Sequence, residues 1–491
     1  MLALDQGTTS SRAIVFDHIA QPIASAQQAF EQRYPQPGWV EHDPQALWQT
    51  QRDTAVQAIK QAGITADQIA AMGVTNQRET AIAWDRNTGK PLCNAIVWQD
   101  RRTASHIDEL KADGHAELIR SKTGLVPDAY FSATKFVWIM NNIDEAPRLA
   151  ESGGLCLGTV DTWLIYNLTG GETFITDASN ASRTMLYDIH RGQWDDELLE
   201  LFGVPKTALP EVVDSFGPFA EVSSITELKG VQIAGIAGDQ QAALFGQMCT
   251  QPGMVKNTYG TGCFMLMNTG EDITRTTNNL LSTIALQRGG NRLYAQEGGV
   301  FIGGAVVQWL RDGLGFIESS AEVESLAASV PDAGGVHLVP AFAGLGAPYW
   351  DQDARGLISG LTRGTTKAHL ARAALESIAY QVAELLHAMQ ADLPDDVFIN
   401  ELRVDGGACG NDLLMQMQAD VLQLPVVRPT VTETTALGAA YLAGLSVGLW
   451  RDTDSLEANW MADRTFEPGI PAQAAADALA GWHEAIERAR L

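Results

Sequence analysis

The chain has 491 residues, of which 45% are hydrophobic and 19% are charged, a length and balance typical of soluble globular proteins with two or more domains. Its 33 Lys and Arg against 59 Asp and Glu give a net charge of −26, which disfavours general binding to nucleic acid or to anionic membranes. The sequence contains neither an apolar run long enough to span a bilayer nor a secretory-signal pattern, so we expect a cytoplasmic protein that is not integral to a membrane.

The cysteines give no sign of a disulfide framework or of a zinc site. Five are present, none of them in a CxxC pair: Cys93, Cys156, Cys249, Cys263 and Cys409. An odd and scattered set of this kind predicts reduced thiols.

The chain opens on a pattern that predicts a three-stranded meander over residues 2–30, and its first turn is small and rich in hydroxyl groups. Gly7 permits backbone geometry that lets successive N–H groups converge on an anion. The side chains that could add donors to a phosphate there are Thr8, Thr9, Ser10 and Arg12. Asp5, just before the turn, could face a magnesium ion. An ordinary tight hairpin remains the alternative interpretation.

A helix and a strand follow. Asp43 before Pro44 is a typical helix start, and Gly63 is a typical stop. A short strand over 70–75 then leads to a loop that carries Arg78 and Glu79. A guanidinium fork beside a carboxylate suits the recognition of vicinal hydroxyls, while a surface ion pair is the alternative.

Asp239 is the best candidate for a general base. The pattern predicts a strand over 233–236 that ends at Gly238, Asp239 and Gln240. Side chains at the carboxyl end of a strand in an open α/β sheet face a cleft, and Gln240 offers both a donor and an acceptor. Asp239 could equally serve as the N-cap of the helix that follows. We place a domain boundary here, between residues 1–245 and 246–491.

The second half begins with a hairpin that resembles the first. Residues 255–267 again form a strand, a small Gly/Thr turn and a strand, which indicates a duplicated domain with a nucleotide in the cleft between the copies. The later elements predicted from periodicity are helix 301–313, helix 367–391, strand 400–405, helix 411–423, helix 433–447 and an amphipathic helix over about 471–491. The predicted class is α/β, in two similar domains.

Two glycine-rich turns in the second half could approach a nucleotide. Gly304 opens a helix with Gln308 on the same face, and Gly407 precedes Asn411 between a strand and a helix. The turn at residues 406–410 does not match GxGxxG, which disfavours a Rossmann dehydrogenase, and the sequence has no P-loop. Close helix packing and a plain tight turn remain alternatives for these glycines.

Four segments, residues 4–12, 75–80, 235–246 and 257–264, resemble the FGGY carbohydrate kinases, and among them those that phosphorylate glycerol. Residues 130–135 and 356–361 resemble the two general signatures of that family. The resemblance implies an α/β actin/hexokinase-type (ribonuclease H-like) ATPase fold with two duplicated domains and an interdomain cleft. It assigns polyol and phosphate binding to an FGGY N-terminal domain (1–245) and nucleotide binding to an FGGY C-terminal domain (246–491).

The resemblance also implies a reaction, in which glycerol and Mg-ATP give sn-glycerol 3-phosphate and ADP in glycerol catabolism. Asp239 would be the catalytic base, and Asp5 would face Mg²⁺. The residues implied to bind substrate are Arg12, Arg78, Glu79, Trp98, Tyr130, Asp239, Gln240 and Phe264. Those implied to bind ATP are Thr8, Thr9, Ser10, Arg12, Thr261, Gly304, Gln308, Gly407 and Asn411. It further implies a homo-oligomer, a dimer or a tetramer, without a nucleic-acid partner.

Other functions stay open at this point. A related kinase acting on xylulose or gluconate is the nearest alternative, and a chaperone-like ATPase of the same fold is a more distant one. The loop before the Asp239 strand, residues 227–232, lacks the arginine that feedback control by sugar phosphates uses in bacterial members of the family, so we do not expect such control.

Overall fold

The computed structural model describes residues 1–274, 276–351 and 353–490. The chain forms two compact units. The first comprises residues 1–248, 282–294 and 434–459, and the second comprises 249–281, 295–433 and 460–491. No helix within the described ranges is long and apolar enough to cross a membrane.

The first unit is built on a six-stranded sheet with short strand pairs around it. Its strands are β1 (Leu2–Gln6), β2 (Ser10–Phe16), β3 (Pro22–Ala29), β4 (Glu41–His42), β5 (Met72–Asn76), β6 (Ile82–Asp85), β7 (Ala95–Ile96), β8 (Leu155–Gly158), β9 (Ile175–Asp177), β10 (Tyr187–Asp188), β11 (Gln193–Trp194), β12 (Glu211–Val213), β13 (Phe216–Glu221) and β14 (Gln232–Gly238). The large sheet has the order β13-β14-β5-β1-β2-β3. The predicted meander of β1, β2 and β3 is thus confirmed.

The helices of residues 1–248 cover this sheet and extend from it. They are α1 (Pro44–Ala62), α2 (Ala104–Ala112), α3 (Ala116–Thr123), α4 (Ser132–Asn142), α5 (Glu145–Ser152), α6 (Val160–Leu168), α7 (Ala178–Ala181), α8 (Asp196–Phe202) and α9 (Asp239–Gly246). Helix α1 has the ends predicted from its sequence. The Asp43 carboxylate accepts a hydrogen bond from the Gln45 N–H, and Gly63 closes the helix with a left-handed φ of 68°.

The chain after residue 248 forms a seven-stranded sheet. The strands after residue 248 are β15 (Val255–Tyr259), β16 (Cys263–Gly270), β17 (Leu281–Arg288), β18 (Asn291–Val300), β19 (His337–Val339), β20 (Leu357–Ser359), β21 (Leu402–Asp405), β22 (Val426–Pro429) and β23 (Ala462–Phe466). The later helices are α10 (Ala305–Asp312), α11 (Glu322–Ala328), α12 (Lys367–Ala391), α13 (Asp412–Leu422), α14 (Thr434–Ser446), α15 (Thr453–Glu457) and α16 (Ala472–Ala489). Each of the later elements predicted from periodicity is present, with ends shifted by a few residues at most.

The two large sheets repeat one topology. The second sheet, read as β23-β22-β21-β15-β16-β18-β17, has the same central arrangement as β13-β14-β5-β1-β2-β3 in the first, with one more strand at its end. In both, the first hairpin strand pairs antiparallel with the second and parallel with a later strand, β5 or β21. The next strand outward, β14 or β22, is also parallel, and an antiparallel strand forms the edge. The predicted duplication of an α/β domain is therefore confirmed.

Helix α14 belongs to the first unit, although it lies far along the chain. It packs on β1, β5 and β14. The approach is so close that a Cβ on Gly73 would lie 2.1 Å from the Ala439 carbonyl oxygen, and a Cβ on Gly438 would lie 1.8 Å from that of Ala242. Only glycine allows backbones to approach this closely. The division into units is thus not the contiguous one written from the sequence, and the functional roles assigned to the two halves stay predictions.

Each unit has its own hydrophobic core. In the first, buried side chains of the large sheet pack against α1 and α6, with Leu4, Leu47, Val74 and Trp163 among them. In the second, the long helix α12 contributes residues such as Leu375 and Leu385 to a core shared with β15, β16 and α13. These cores fix the strand ends from which the candidate site residues project.

Candidate functional site

The first-unit hairpin combines a tight turn with a pair of opposite charges. The Gly7 N–H donates to the Ser10 carbonyl oxygen at 3.0 Å and closes the turn. Asp5 and Arg12 occupy paired positions on β1 and β2. Burial raises the pKa of Asp5, and the attraction of Arg12 partly offsets that rise. The hairpin therefore presents a guanidinium and a carboxylate side by side, one suited to phosphate and the other to a metal ion.

The hydroxyl groups of this turn are accessible. Thr9 is exposed, and Thr8 and Ser10 are partly exposed. The Thr8 hydroxyl accepts a hydrogen bond from the Trp98 indole Nε1 at 3.0 Å. The Ser10 hydroxyl accepts one from the Gln27 Nε2 at 2.8 Å. Both hydroxyls keep a proton to donate, as contacts to a phosphate oxygen require.

Arg78 is the centre of a buried polar cluster, and not part of a surface ion pair. Its side chain is 2% exposed. Its Nε lies 3.2 Å from Asp239 Oδ1, and its Nη1 donates to Gln241 Oε1 at 3.2 Å. Gly238 makes room for it, because a Cβ there would lie 2.7 Å from the Arg78 side chain. A guanidinium held this way keeps a fixed geometry for hydrogen bonds to small polar ligands.

Glu79 joins this cluster through a second arginine. Its side chain is 1% exposed, and its Oε1 accepts from the Arg183 Nε at 2.7 Å. The backbone of Glu79 has a φ of +61°, which is uncommon for a residue with a side chain and marks a strained loop. The Ser132 hydroxyl donates to the Glu79 carbonyl oxygen at 3.0 Å and supports this conformation.

Asp239 is the first residue of α9, and Gly238 occupies the N-cap position. The N-cap interpretation of Asp239 is therefore wrong. Its Oδ1 accepts from the Gln240 N–H at 2.7 Å, and its side chain is 27% exposed. A carboxylate that is oriented by an arginine and a backbone N–H, yet accessible, has the position that a general base requires. Gln240 itself is largely buried.

Two aromatic side chains lie beside this cluster. Trp98 and Tyr130 meet edge to face with their ring centroids 5.6 Å apart. The Arg78 Nη2 reaches the Tyr130 hydroxyl at 3.5 Å. Both rings are only partly buried. Five residues predicted to bind a polyol thus share one neighbourhood of charged groups with aromatic walls, namely Arg78, Glu79, Trp98, Tyr130 and Asp239. Phe264 lies on β16, and its predicted contact with a polyol stays a prediction.

The second unit contains a cavity of about 450 Å³. All five residues predicted to hold the body of a nucleotide line it: Thr261, Gly304, Gln308, Gly407 and Asn411. Apolar side chains such as Val307 and Leu375 complete the wall, together with Glu324. The volume and the mixture of apolar walls with a few polar groups are typical of small-molecule sites.

Glycines give this cavity its shape. The Gly304 N–H donates to the Gly260 carbonyl oxygen at 2.8 Å, and a Cβ on Gly304 would lie 2.7 Å from that oxygen. Close packing is therefore one reason for Gly304. A Cβ on Gly407 would meet nothing within 4 Å, so this glycine leaves room that the local packing does not need. Asn411 caps α13, since its Oδ1 accepts from the Leu414 N–H at 2.9 Å.

Comparison with known proteins assigns the chain to a family. Residues 1–246 match the model of the N-terminal domain of the FGGY family of carbohydrate kinases, and residues 255–447 match that of its C-terminal domain. The chain belongs to the FGGY family of carbohydrate kinases.

Two relatives of this FGGY chain are described as glycerol kinases. The glycerol kinase of Paraburkholderia xenovorans is 58% identical over 490 residues, which cover 100% of this chain and 98% of the relative. The crystal structure of Plasmodium falciparum glycerol kinase with ADP has a TM-score of 0.92 and 36% identity, and covers 100% of this chain and 98% of its own.

A ligand-bound xylulose kinase from Lactobacillus acidophilus has a TM-score of 0.87 at 22% identity, and the match covers 98% of this chain and 96% of the other. At that identity the likeness concerns the fold alone. With the family match, it establishes that the FGGY chain has the two-domain α/β fold of the actin/hexokinase type.

Three further residues support the FGGY site and were not assigned a role from the sequence. Arg183 and Gln241 hold Glu79 and Arg78, as described above. The buried Lys135 donates to the carbonyl oxygens of the three residues 129–131, at 2.6, 2.6 and 2.9 Å, and so fixes the segment that carries Tyr130. Burial lowers the pKa of Lys135 to about 7. Lys135 lies in a family signature that was noted from the sequence.

The donor set for a metal ion is small. Within residues 1–274, 276–351 and 353–490, no group of three or more His, Cys, Asp or Glu side chains is arranged to hold one. Mg²⁺ in kinase sites is commonly held by one or two carboxylates together with substrate phosphates. Asp5 lies next to the hydroxyl-rich turn and is suited to such a site, in which phosphate oxygens supply the other ligands.

Proposed function

We propose that this chain transfers the γ-phosphoryl group of ATP to glycerol and forms sn-glycerol 3-phosphate. The observation that carries the proposal is the buried cluster in which Arg78 contacts Asp239 at 3.2 Å and Glu79 is held by Arg183 at 2.7 Å. The full-length likeness to glycerol kinases supports the choice of glycerol.

Glycerol offers three hydroxyl groups and a short carbon chain. Arg78 donates to hydroxyl oxygens, and the Glu79 carboxylate accepts from hydroxyl protons. Trp98 and Tyr130 provide apolar faces for the carbon edge, because both rings are partly exposed beside the cluster. The Asp239 carboxylate orients the attacking primary hydroxyl and accepts its proton as the phosphoryl group arrives. Such a positioned base typically contributes about 10²–10⁴ to the rate.

The nucleotide is held in two parts. Its adenosine portion occupies the second-unit cavity lined by Gln308, Gly407 and Asn411. Its terminal phosphates are bound at the first-unit hairpin by Arg12 and by the hydroxyls of Thr8, Thr9 and Ser10. Mg²⁺, held by Asp5 and phosphate oxygens, neutralises phosphate charge during transfer. Phosphoryl transfer depends chiefly on alignment and charge neutralisation, which these groups supply.

A panel of polyols tests the proposal. Purified protein with Mg-ATP should release ADP only when a polyol is present, and glycerol should give the highest kcat/KM. The product should be identified as glycerol 3-phosphate by mass spectrometry. ATP hydrolysis that does not depend on any polyol would favour a chaperone-like ATPase, and a preference for xylulose or gluconate would favour another member of the family.

Three further features of the proposal concern context. We place the reaction in the cytoplasm, we assign polyol binding to residues 1–245 and nucleotide binding to 246–491, and we expect a homo-oligomer. Fractionation of the source cells tests the location. Measurement of glycerol and ATP binding in variants substituted in residues 1–245 or in 246–491 tests the assignment of the two ligands. Light scattering tests the oligomeric state.

A further inference from the structure

A buried histidine lies beneath the first-unit hairpin. His42, on β4, is fully buried. Its Nε2 lies 2.7 Å from Gln32 Oε1, and its Nδ1 lies 3.3 Å from Gln77 Nε2. No step of the proposed reaction uses this histidine, so its two hydrogen bonds need another explanation.

Both glutamines continue from His42 to the turn of the hairpin. The Gln32 Nε2 donates to the Thr8 carbonyl oxygen at 3.0 Å. The Gln77 Nε2 donates to the Gly7 carbonyl oxygen at 3.2 Å, and its Oε1 accepts from the Thr80 hydroxyl at 3.1 Å. One imidazole ring thus connects two side chains that hold consecutive carbonyl groups.

The directions of these hydrogen bonds fix the form of the ring. The Gln32 amide nitrogen donates to Thr8, so the Gln32 amide oxygen is the atom that faces His42. The His42 Nε2 must therefore carry the proton. The Nδ1 is then a lone pair and accepts from the Gln77 amide nitrogen. A protonated ring would set a second N–H against that NH₂ group. Burial lowers the pKa of His42 to about 4, which favours the same neutral form.

Holding the two carbonyls also aims two N–H groups. In a trans peptide the C=O and the following N–H point in opposite directions. The carbonyls of Gly7 and Thr8 are held from the side of the glutamines, so the N–H groups of Thr8 and Thr9 point away from them. In the described part of the chain neither N–H has a hydrogen-bond partner. Two such donors on a small turn are suited to bind an anion.

We propose that His42 is a positioning residue for the terminal phosphates of ATP, acting through Gln32 and Gln77 on the backbone of the hairpin turn. The inference rests on the proposed function, because it takes the hairpin as the site of those phosphates. It adds a specific division: the His42 network supports the binding of the β- and γ-phosphates, and it has no part in holding adenosine or glycerol.

Substitution of His42 tests this division. His42→Leu removes both ring nitrogens at similar volume, whereas His42→Gln keeps one donor and one acceptor. We expect His42→Leu to weaken binding of a non-hydrolysable ATP analogue about tenfold, the effect of one lost hydrogen bond, and His42→Gln to restore part of it. Affinity for AMP, which lacks the terminal phosphates, and KM for glycerol should stay within about twofold. Calorimetric titration and steady-state kinetics give these values.

A matched control removes a buried hydrogen bond elsewhere in the first unit. The Thr176 hydroxyl donates to Asp161 Oδ2 at 2.6 Å and is buried. Thr176→Val should lower thermal stability and leave the ratio of ATP-analogue to AMP affinity unchanged. If His42→Leu does not fold, Gln32→Met serves in its place, since Gln32 is only partly buried and reaches the Thr8 carbonyl directly.

Three outcomes would overturn the inference. One is an unchanged affinity for the ATP analogue in the folded variants. Another is an equal loss for AMP and the analogue, which indicates a general structural effect. The third is a wild-type protein that binds no ATP analogue, which removes the proposed function as well. A wild-type protein that binds the analogue but phosphorylates no polyol would end the proposed function alone, because the binding arms test His42 without any turnover.

Discussion

The two hairpins of the duplicated fold are alike in backbone and opposite in chemistry. In the first, the pair one step from the last pair of the ladder is Asp5 and Arg12. In the second, the pair one step from the strand ends is Thr258 and Phe264. The same scaffold thus carries a charged pair in one unit and a neutral, partly apolar pair in the other. Duplication preserved the topology, and the side chains at the turn set what each copy binds.

The groups beneath the hairpins differ in the opposite order, with an imidazole below the charged pair of the first unit and an amine below the neutral pair of the second. Neutral His42 supports the first turn through two glutamines. Under the second, the buried Lys256 donates to the Thr258 hydroxyl at 2.8 Å and to the Phe264 carbonyl oxygen at 3.4 Å. The first turn is thus supported by two glutamine side chains that act on backbone carbonyls, and the second by a lysine that donates to a hydroxyl and a backbone carbonyl.

The largest expected effect on activity comes from a substitution in the first unit. Asp239→Asn keeps the size of the side chain and removes its basicity. We expect kcat to fall more than about a hundredfold and glycerol affinity to change less than about tenfold, because the hydrogen bonds to the ligand are largely kept. Rapid-quench measurement of ADP formation and a glycerol-binding titration check this. Asp85→Asn, at the end of β6, is the matched control. Near-normal turnover in the Asp239 variant would exclude Asp239 as the base.

Much of the candidate nucleotide site in the second unit was predictable from the sequence, because the patterns that indicate it are local. Glycines before a helix indicated the cavity wall, and all five predicted nucleotide residues line one cavity. In the first unit the ends of α1 were predictable for the same reason, from Asp43 and Gly63. These features depend on backbone conformation within a few residues, which residue type constrains directly.

The polar cluster of the first unit was less predictable, because the residues that interact in it are distant in the chain. Arg183 is 104 residues from Glu79, and Gln241 is 163 residues from Arg78. The packing of α14 on the first sheet joins residues still farther apart. No local pattern in a single sequence specifies such contacts, since they depend on the order in which strands and helices pack. The buried state of Arg78 and Glu79 was missed for this reason.

Function in the second unit should depend on the volume of side chains that line its cavity, whereas function in the first unit depends on charge. Gly407→Leu places a side chain in the cavity, because nothing lies within 4 Å of the Cβ position. We expect KM for ATP to rise more than about tenfold by steric exclusion, with KM for glycerol unchanged. Gly407→Ala is the graded control and should change KM for ATP less. Equal effects on both substrates, or none with Leu, would contradict the assignment of this cavity to the nucleotide.

A conservative change of charge tests the pairing in the first unit. Arg183→Lys keeps the positive charge and shortens the hydrogen-bonding group, so Glu79 loses its 2.7 Å partner at Nε. We expect KM for glycerol to rise about three- to tenfold, consistent with the loss of roughly one hydrogen bond, with KM for ATP unchanged. Steady-state kinetics with each substrate varied in turn measure this. Arg191→Lys, at an exposed position, should behave as wild type. A change confined to KM for ATP would place Arg183 outside the polyol cluster.

The smallest expected effect concerns the support of the first hairpin by His42 and its dependence on pH. Burial lowers the pKa of His42 from 6.5 to about 4, so the unfolded chain takes up a proton at a higher pH than the folded one. Stability is then lost as pH falls through 6.5 towards 4, by about 1 kcal/mol between pH 7 and pH 5.5. His42→Gln should show a smaller fall in thermal midpoint over this range. If the wild type and His42→Gln lose stability in parallel, His42 is not the source of this pH dependence.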